Sequence, residues 1–168
     1  MAASNQKEMA GKSNETPFKK ICKIFATGFG SGYIPKAPGT AGALLGIPVG
    51  LGINLIPDTG GSFLALIGLI VFSCICAHVT EKSLGFEDPQ TVVIDEITGM
   101  AISLWLIPAS FFSVVILFIL FRLFDIYKPF PVKQMEDVFT GGVSIVMDDV
   151  MAGIIANVLF RVGEVVLS

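Results

Sequence analysis

Charged side chains are scarce in this sequence. Aspartate, glutamate, lysine and arginine together make up 15% of its 168 residues, whereas soluble domains carry roughly 25%. The mean hydropathy is +0.78, and the formal net charge of −3 lacks the basic excess that is typical of a nucleic-acid-binding protein. The composition therefore excludes a disordered chain, gives no sign of a nucleic-acid partner and favours a membrane-embedded protein.

Histidine and cysteine are also rare. The single histidine, His78, lies at the end of an apolar run, so a Ser-His-Asp mechanism has little support. The three cysteines are odd in number, and two of them lie inside that run. They predict neither a disulfide framework nor a zinc site.

Apolar segments predict an all-α fold. Residues 1–20 are polar and predict a flexible tail, and residues 21–168 predict a single helical domain. Five apolar stretches follow, near residues 40–56, 62–79, 97–107, 110–124 and 150–167. Because a membrane-crossing helix needs about 20 residues, we extend the third stretch back to Val92 and the fourth over Arg122 and Asp125. The prediction is a membrane-embedded bundle of about five apolar helices.

The basic residues predict the orientation of that bundle. If the five helices alternate in direction, one membrane face receives ten of the eleven Lys and Arg residues, namely Lys7, Lys12, Lys19, Lys20, Lys23, Lys36, Lys82, Arg122, Lys128 and Lys133. Short basic loops stay in the cytoplasm. We therefore expect a multi-pass membrane protein with this face in the cytoplasm.

Five acids are predicted to meet at the same face. Asp95 and Glu96 open the third helix, Asp125 closes the fourth, and Asp148 and Asp149 open the fifth. Clustered carboxylates repel one another unless a cation lies between them, and oxygen ligands with few protein carboxylates suit Mg²⁺. The alternative is that acids at helix starts only favour the helix dipole, although this does not explain Asp125 at a helix end.

Basic residues accompany these acids in the segment from Arg122 to Pro129. The spacing of three residues puts Arg122, Asp125 and Lys128 on roughly one helical face, with Lys128 at the helix end. Lys128 and Arg122 are candidate contacts for phosphate oxygens. The alternative for Lys128 is an interface anchor whose ammonium reaches the headgroups.

A glycine-rich stretch precedes the first apolar helix. Its backbone amides can approach an anion closely, which makes Gly30, Ser31, Lys36 and Thr40 candidate phosphate-binding residues. Thr40 is alternatively an N-cap. Gly42, Gly46 and Gly50 recur every four residues, and we interpret this stripe as a helix-packing surface.

Four motifs together resemble those of the phosphatidylglycerophosphatase A family, in the family's order. They are Gly28-Phe29-Gly30-Ser31-Gly32 with Pro38-Gly39-Thr40, Ile94-Asp95-Glu96 with Gly99-Met100, the segment from Phe121 to Pro129, and Met147-Asp148-Asp149 with Gly153. The resemblance implies an all-helical, Mg²⁺-dependent phosphatase that converts phosphatidylglycerophosphate to phosphatidylglycerol and phosphate. It also implies an alternative for short segments such as residues 97–107, which would be helices of a compact bundle, as in more soluble relatives, rather than membrane spans. Residues 21–168 would then be a helical phosphatase domain.

The resemblance and the residues predict one mechanism. The catalytic residues would be Asp95, Glu96, Asp125, Lys128, Asp148 and Asp149, of which the five acids hold one or two Mg²⁺ ions. Lys128, with Arg122 and Lys36, would hold phosphoryl oxygens. Attack by water and attack by an acid to form an aspartyl-phosphate both remain open, as does the oligomeric state.

Two other classes of membrane protein compete with the phosphatase. A cation-coupled transporter would use the same acids as a relay, but transporter acids tend to lie near the bilayer midplane, whereas these lie at segment ends. A metal-dependent phosphatidyltransferase of the CDP-alcohol type would need a long Asp-rich signature, which is absent. We therefore predict the phosphatase, with the transporter as the alternative.

Overall fold

The structure, a computed structural model, describes residues 16–85 and 89–167, without the side chains of residues 135–137 and 167. These residues form seven α-helices and a short 3₁₀ segment, with no β-strand among them: α1 (Pro17–Ala26), the 3₁₀ segment (Gly28–Tyr33), α2 (Pro38–Asn54), α3 (Thr59–Leu84), α4 (Ile94–Ser103), α5 (Phe111–Tyr127), α6 (Val132–Val138) and α7 (Gly142–Leu167). The all-α prediction is confirmed.

Local signals set several helix ends. The Asp58 side chain accepts a hydrogen bond from the Gly61 amide (2.6 Å) at the start of α3, and Gly85 ends that helix in the left-handed conformation. Ser110 and Ser113 form a capping box at the start of α5. Both arrangements supply partners for backbone groups that a helix end leaves unpaired.

Helix α4 lies at the centre of the bundle. Residues 97–103 are all buried, and α2, α3, α5 and α7 pack around them. The Thr98 hydroxyl lies 2.7 Å from that of Ser73, and the Trp105 indole, just beyond α4, donates to the Ser62 hydroxyl (3.1 Å). The later residue on the α4 side, Trp105, thus contacts the earlier residue of α3, so the two helices are antiparallel.

The glycine stripe of α2 packs against α4, as predicted. Its three glycines lie in turn against Val93, Ile97 and Ala101, so α2 runs parallel to α4. A Cβ atom at Gly46 would lie 2.7 Å from the Ile97 carbonyl oxygen. On the other side of α4, Gly153 of α7 lies against Gly99. Small residues at these contacts let the helix backbones approach closely.

The directions of the helices define two ends of the bundle. Helices α2, α4 and α7 begin at one end, which we call the acidic end, and α3 and α5 finish there. We call the opposite end the far end. This alternation is the one that the sequence predicted.

At the far end, polar side chains hold the turn that follows α4. The Asn54 amide donates to the Leu104 carbonyl (2.8 Å), and the Asn157 amide donates to the carbonyls of Ser103 and Trp105 (2.9 Å each). The Arg161 guanidinium also donates to the Trp105 carbonyl (3.0 Å). These bonds satisfy carbonyls that the end of a helix exposes, so α4 can stop within the protein after 10 residues.

The prediction of five membrane-embedded helices is only partly supported. Among the described residues, two helical segments, Thr59–Leu84 and Gly142–Val166, are long and apolar enough to cross a membrane. The third predicted stretch is α4, which begins at Ile94 rather than Val92 and is enclosed by its neighbours. Its apolar surface is buried against protein rather than against lipid.

Helix α1 is not among the predicted apolar segments, and the last helix begins earlier than the apolar pattern predicts. Residues 1–15 of the predicted tail lie outside the described residues, but residues 17–20 form the first turn of α1. Helix α1 packs Cys22 and Ala26 into the core against α3, and the Ala26 carbonyl accepts from the Val93 amide (2.8 Å). Helix α7 begins at Gly142, so Asp148 and Asp149 lie in its second turn rather than at its start.

Candidate active site

A cavity of about 570 Å³ opens at the acidic end. The first turn of α4, the end of α5 and the second turn of α7 each contribute acids to its wall. All five predicted acids line the cavity together with Lys128: Asp95, Glu96, Asp125, Asp148 and Asp149. The structure thus brings together the residues that the sequence placed at one membrane face.

Three of these acids form a tighter group. Asp95, Glu96 and Asp149 each offer an oxygen, and the three oxygens lie within 4.8 Å of one another. Each residue also has one buried carboxylate oxygen without a hydrogen-bond partner, namely Asp95 Oδ1, Glu96 Oε2 and Asp149 Oδ2. Buried unpaired oxygens of this kind are costly unless a cation or a proton satisfies them. This donor set fits a hard, oxygen-seeking metal ion.

Burial changes the proton affinity of the two acids on α4. It raises the pKa of Asp95 well above its ordinary value, and the adjacent Glu96 and the acids of α7 raise it further. Burial also raises the pKa of Glu96, partly offset by hydrogen bonding to Asp95 and by the charge of Arg122. Without a cation, this site therefore favours protonated carboxyl groups.

Asp148 and Asp149 are adjacent in sequence but have different neighbours. Asp148 Oδ2 lies 2.6 Å from Lys128 Nζ, and Asp148 Oδ1 accepts from the Asp149 amide (3.0 Å). Successive side chains of an α-helix point about 100° apart, so Asp149 faces the acids of α4 instead. Asp148 holds the Lys128 ammonium at the cavity wall.

Lys128 occupies an unusual backbone position. It ends α5 with φ of 42°, in the left-handed region that residues other than glycine seldom adopt. Such strain persists where the surroundings hold the residue firmly, and here the ion pair with Asp148 does so. The prediction that Lys128 projects from the end of the helix is confirmed.

Arg122 lies behind the acids rather than in the cavity wall. Its guanidinium forms an ion pair with Asp125 and lies 4.0 Å from Glu96 Oε1. Gly39 makes room for this contact, because a Cβ atom there would lie 2.2 Å from Glu96 Oε1. The structure places the Arg122 guanidinium beside two carboxylates, and its predicted contact with a phosphate oxygen stays a prediction.

The other four predicted phosphate-binding residues do not line this cavity. The amides of Gly30 and Gly32 both donate to the Thr27 carbonyl (3.0 Å each), so these N–H groups are already used within the 3₁₀ segment. The Ser31 hydroxyl donates to the same carbonyl (3.4 Å). These hydrogen bonds occupy the amides of Gly30 and Gly32 within the 3₁₀ segment, and the predicted anion contacts of this stretch stay a prediction.

Lys36 and Thr40 also lie elsewhere. Lys36 is exposed before α2, and Thr40 is the third residue of that helix, whose N-cap is Ala37. Thr40 is therefore not the N-cap that the sequence offered as an alternative.

Part of the cavity wall consists of residues that were not predicted from the sequence. Glu81 of α3 is buried and lines the cavity, together with Gln90, Thr140 and Ser144. Glu81 Oε2 lies 4.0 Å from His78 Nδ1. The alternation that gathered the five acids also brings the end of α3 to this face, so the same argument applied to Glu81 would have found it.

Comparison with known proteins agrees with this site. The family model for phosphatidylglycerophosphatase A matches residues 24–164. A protein of Bacteroides thetaiotaomicron, named provisionally as a phosphatidylinositol-3-phosphatase, is 42% identical over 86% of this chain and 94% of its own length. Proteins named phosphatidylglycerophosphatase A from Escherichia coli and Haemophilus influenzae are 35% and 36% identical, over 84% and 88% of this chain and 83% and 94% of their own lengths. No solved structure matches the chain.

The family match spans α2 to α5 and all but the last residues of α7, so it includes every acid in the cavity wall. The relatives are named as phosphatases, and they do not favour the transporter alternative. By its sequence and by the site that its helices form, the chain belongs to the phosphatidylglycerophosphatase A family of phosphatases.

Proposed function

We propose that the protein is a Mg²⁺-dependent phosphatidylglycerophosphate phosphatase of the bacterial inner membrane. The observation that carries this proposal is the group of three buried carboxylates, each with an unpartnered oxygen, in the same cavity as the Lys128 ammonium. Two relatives are named for this activity. A metal-binding group beside a cation is what a phosphomonoester, which carries two negative charges near neutral pH, requires.

In this proposal Asp95, Glu96 and Asp149 hold the metal. Bound Mg²⁺ supplies positive charge to the phosphoryl oxygens and lowers the pKa of water. Lys128 binds a phosphoryl oxygen, and Asp148 keeps its ammonium in position through the 2.6 Å contact. Each ligand is fixed by a helix of the bundle, which favours a defined geometry over a flexible one.

Asp125 and Arg122 act as positioning residues. The ion pair directs the Asp125 carboxylate, and the same guanidinium approaches Glu96 from behind. Water supplies the oxygen that bonds to phosphorus as the ester P–O bond breaks, and the leaving oxygen takes a proton to become a hydroxyl of phosphatidylglycerol. The acyl chains stay in the lipid while the headgroup enters the cavity.

We also propose that the acidic end faces the cytoplasm. The ends of α3 and α5 and the starts of α2 and α7 lie there, and the basic residues of the connecting segments are near this end. Positive residues in short loops favour the cytoplasmic side. The two segments long enough to cross the membrane are then α3 and most of α7.

Phosphate release by the purified, detergent-solubilised protein tests the proposal. We expect release from phosphatidylglycerophosphate to stop with EDTA and to return with Mg²⁺. Asp149→Asn should lower the rate by at least about 100-fold, since it removes one of three ligands, whereas Glu164→Gln changes charge equally in the C-terminal part of α7 and should retain the rate.

Phosphatidylinositol 3-phosphate and phosphatidic acid serve as competing substrates in the same assay. Faster turnover of phosphatidylinositol 3-phosphate would replace the proposed substrate while keeping the phosphatase. Release that is insensitive to EDTA, or an Asp149→Asn protein as active as wild type, would refute the metal assignment.

A further inference from the structure

A second cavity lies between α1 and the 3₁₀ segment. Its volume is about 480 Å³, and its wall consists of Lys20, Lys23, Ile24, Thr27, Phe29, Gly30 and Tyr33. None of these residues lines the acidic cavity. We call it the α1 cavity. It combines two lysines with an otherwise largely apolar wall, and neither the proposed phosphatase mechanism nor the three metal-binding acids uses it.

Two aromatic side chains stand exposed at this cavity. Phe29 is 73% exposed and Tyr33 is 57% exposed. Phe29 also has φ of 56°, a left-handed conformation that is unfavourable for a bulky residue. Edge-to-face contacts connect Phe29 to Phe25 (5.2 Å between centroids) and Phe25 to Phe72 of α3 (5.1 Å). The fold thus holds the Phe29 ring outside the core in a strained position, and Phe25 connects it to α3, a candidate membrane-crossing helix.

The outer surface of α1 continues the same pattern. Phe18, Ile21 and Ile24 are about half exposed or more, at 58%, 52% and 49%, and their spacing of three places them along one side of the helix. Lys19 and Lys20 are exposed beside them. Helices with an apolar stripe flanked by lysines lie in the interface of a membrane that carries anionic lipid.

The position of α1 agrees with such a location. The Val93 amide donates to the Ala26 carbonyl (2.8 Å), which fixes the end of α1 beside the start of α4. The acids of the first cavity begin two residues later, at Asp95. The α1 cavity is therefore at the acidic end of the bundle, the level at which a lipid phosphatase must meet headgroups.

We propose that the α1 cavity binds the headgroup of an anionic phospholipid. The ammonium groups of Lys20 and Lys23 contact the lipid phosphate, and the acyl chains lie along Ile24 and Phe29. The apolar share of the wall distinguishes this ligand from a free inorganic anion, which has nothing to place against those side chains. Lys20 and Lys23 both lie outside the residues 24–164 that match the family model, so the family match does not cover the two lysines of this site.

Quenching by brominated lipids tests this site without reference to activity. Tyr33→Trp, combined with Trp105→Phe, puts a single indole at the cavity. The protein is reconstituted in phosphatidylcholine vesicles that contain increasing fractions of brominated phosphatidylglycerol or, separately, brominated phosphatidylcholine. We expect the anionic lipid to reach half-maximal quenching at a severalfold lower fraction than phosphatidylcholine. Inorganic phosphate at about 10 mM, well above the Kd of a weak anion site, should leave that fraction unchanged.

Charge variants assign the preference to the two lysines. Adding Lys20→Gln and Lys23→Gln should bring the two lipids to equal quenching, because about 1 kcal/mol per basic residue near an anionic surface, or about 5-fold for each lysine, is enough to account for the whole preference. Lys82→Gln with Lys133→Gln removes the same charge from positions outside the cavity wall and should preserve the preference. A melting temperature in detergent equal to that of the native-lysine protein shows that each variant is folded.

Three results would overturn the proposal. They are equal quenching by the two lipids in the protein with native lysines, an unchanged preference after Lys20 and Lys23 are replaced, and an equal loss in the Lys82 and Lys133 control. The last result would mean that general surface charge, rather than a binding cavity, attracts the lipid. None of these results depends on whether phosphatidylglycerophosphate is the substrate.

Discussion

Replacing Asp95 with asparagine should remove metal binding and yet stabilise the metal-free protein. Oxygens of Asp95, Glu96 and Asp149 lie within 4.8 Å of one another. At an effective dielectric constant of about 20, each pair of charges at that separation repels by about 3.5 kcal/mol. Asp95 takes part in two such pairs, so its charge would add about 7 kcal/mol of repulsion if Glu96 and Asp149 were also ionised.

Protonation limits this cost in the wild-type protein. Neutralising one carboxyl of ordinary pKa 3.8 at pH 7 costs about 4 kcal/mol, at about 1.4 kcal/mol per pH unit. The cluster therefore destabilises the metal-free fold by up to about 4 kcal/mol. Asp95→Asn removes the charge, and its amide can donate to the two remaining carboxylates.

Thermal unfolding in EDTA and in excess Mg²⁺ measures both effects. At about 2–4 °C per kcal/mol for a chain of this size, we expect the melting temperature of Asp95→Asn in EDTA to exceed that of wild type by at least about 2 °C. Saturating Mg²⁺ at about 100 times its Kd should stabilise wild type by about 2.7 kcal/mol and leave the variant unchanged. Glu164→Gln is the matched control and should behave as wild type in both conditions.

Two outcomes would contradict this reasoning. A melting temperature for Asp95→Asn several degrees below wild type in EDTA would show that the acid stabilises the fold through contacts other than a metal. A Mg²⁺ shift as large as that of wild type would show that Asp95 does not hold the ion.

Three further predictions concern the pH response, the far end and the packing behind the acids. Burial raises the folded-state pKa of Asp95 and Glu96, so their contribution to the stability of the metal-free protein is complete below the ordinary pKa values of 3.8 and 4.5 and is lost as pH rises through the raised values. Melting temperatures measured in EDTA should therefore fall as pH rises. A pH-independent melting temperature would argue against this reasoning. Asn157→Ala leaves the buried Ser103 carbonyl without its amide donor, whereas the Trp105 carbonyl keeps Arg161 as a donor. The variant should lower the melting temperature by several degrees, at about 1–3 kcal/mol for an unsatisfied group, while the KM at low temperature stays at the wild-type value. A raised KM would mean that the far end shapes the site. Gly39→Ala places a Cβ atom 2.2 Å from Glu96 Oε1 and should increase the Mg²⁺ concentration needed for half-maximal activity at least about 10-fold. Gly52→Ala is the control, because a Cβ atom there would have no neighbouring atom within 4 Å, and it should leave this concentration unchanged. Equal behaviour of the two variants would exclude this packing argument.

The sequence was sufficient to predict which acids meet, because the alternation of helices depends only on the order and length of apolar segments. It could not predict how Asp148 and Asp149 divide their roles. That division depends on the rotation of α7, which begins at Gly142 rather than at the apolar run. The pairing of Asp148 with Lys128 joins residues 20 positions apart and follows from that rotation.

The length of α4 was predicted poorly for a similar reason. An apolar run of eleven residues is too short to cross a membrane, and the sequence-based remedy was to lengthen it. The structure instead ends the helix early and satisfies its carbonyls with Asn54, Asn157 and Arg161. These partners lie about fifty residues away in sequence, so no local pattern indicates them.

The predicted anion site at Gly30 shows the limit of a composition argument. Glycines allow a close approach to a ligand, but the same freedom lets the chain fold back on itself. Here Thr27 accepts the amides of Gly30 and Gly32. Whether glycine amides stay available depends on the turn that the segment forms, which three alternate glycines do not determine.

The anchoring of α1 affects how a shortened form of this protein should be made. The family match starts at residue 24, inside α1, and trimming there would delete the buried Cys22 and most of the turns that cover α3. The remaining stub would hold the Ala26 carbonyl less firmly against the Val93 amide, just ahead of the metal-binding acids. The folding unit is therefore longer at its N-terminal side than the region that the family model matches, and expression boundaries are better placed before Thr16.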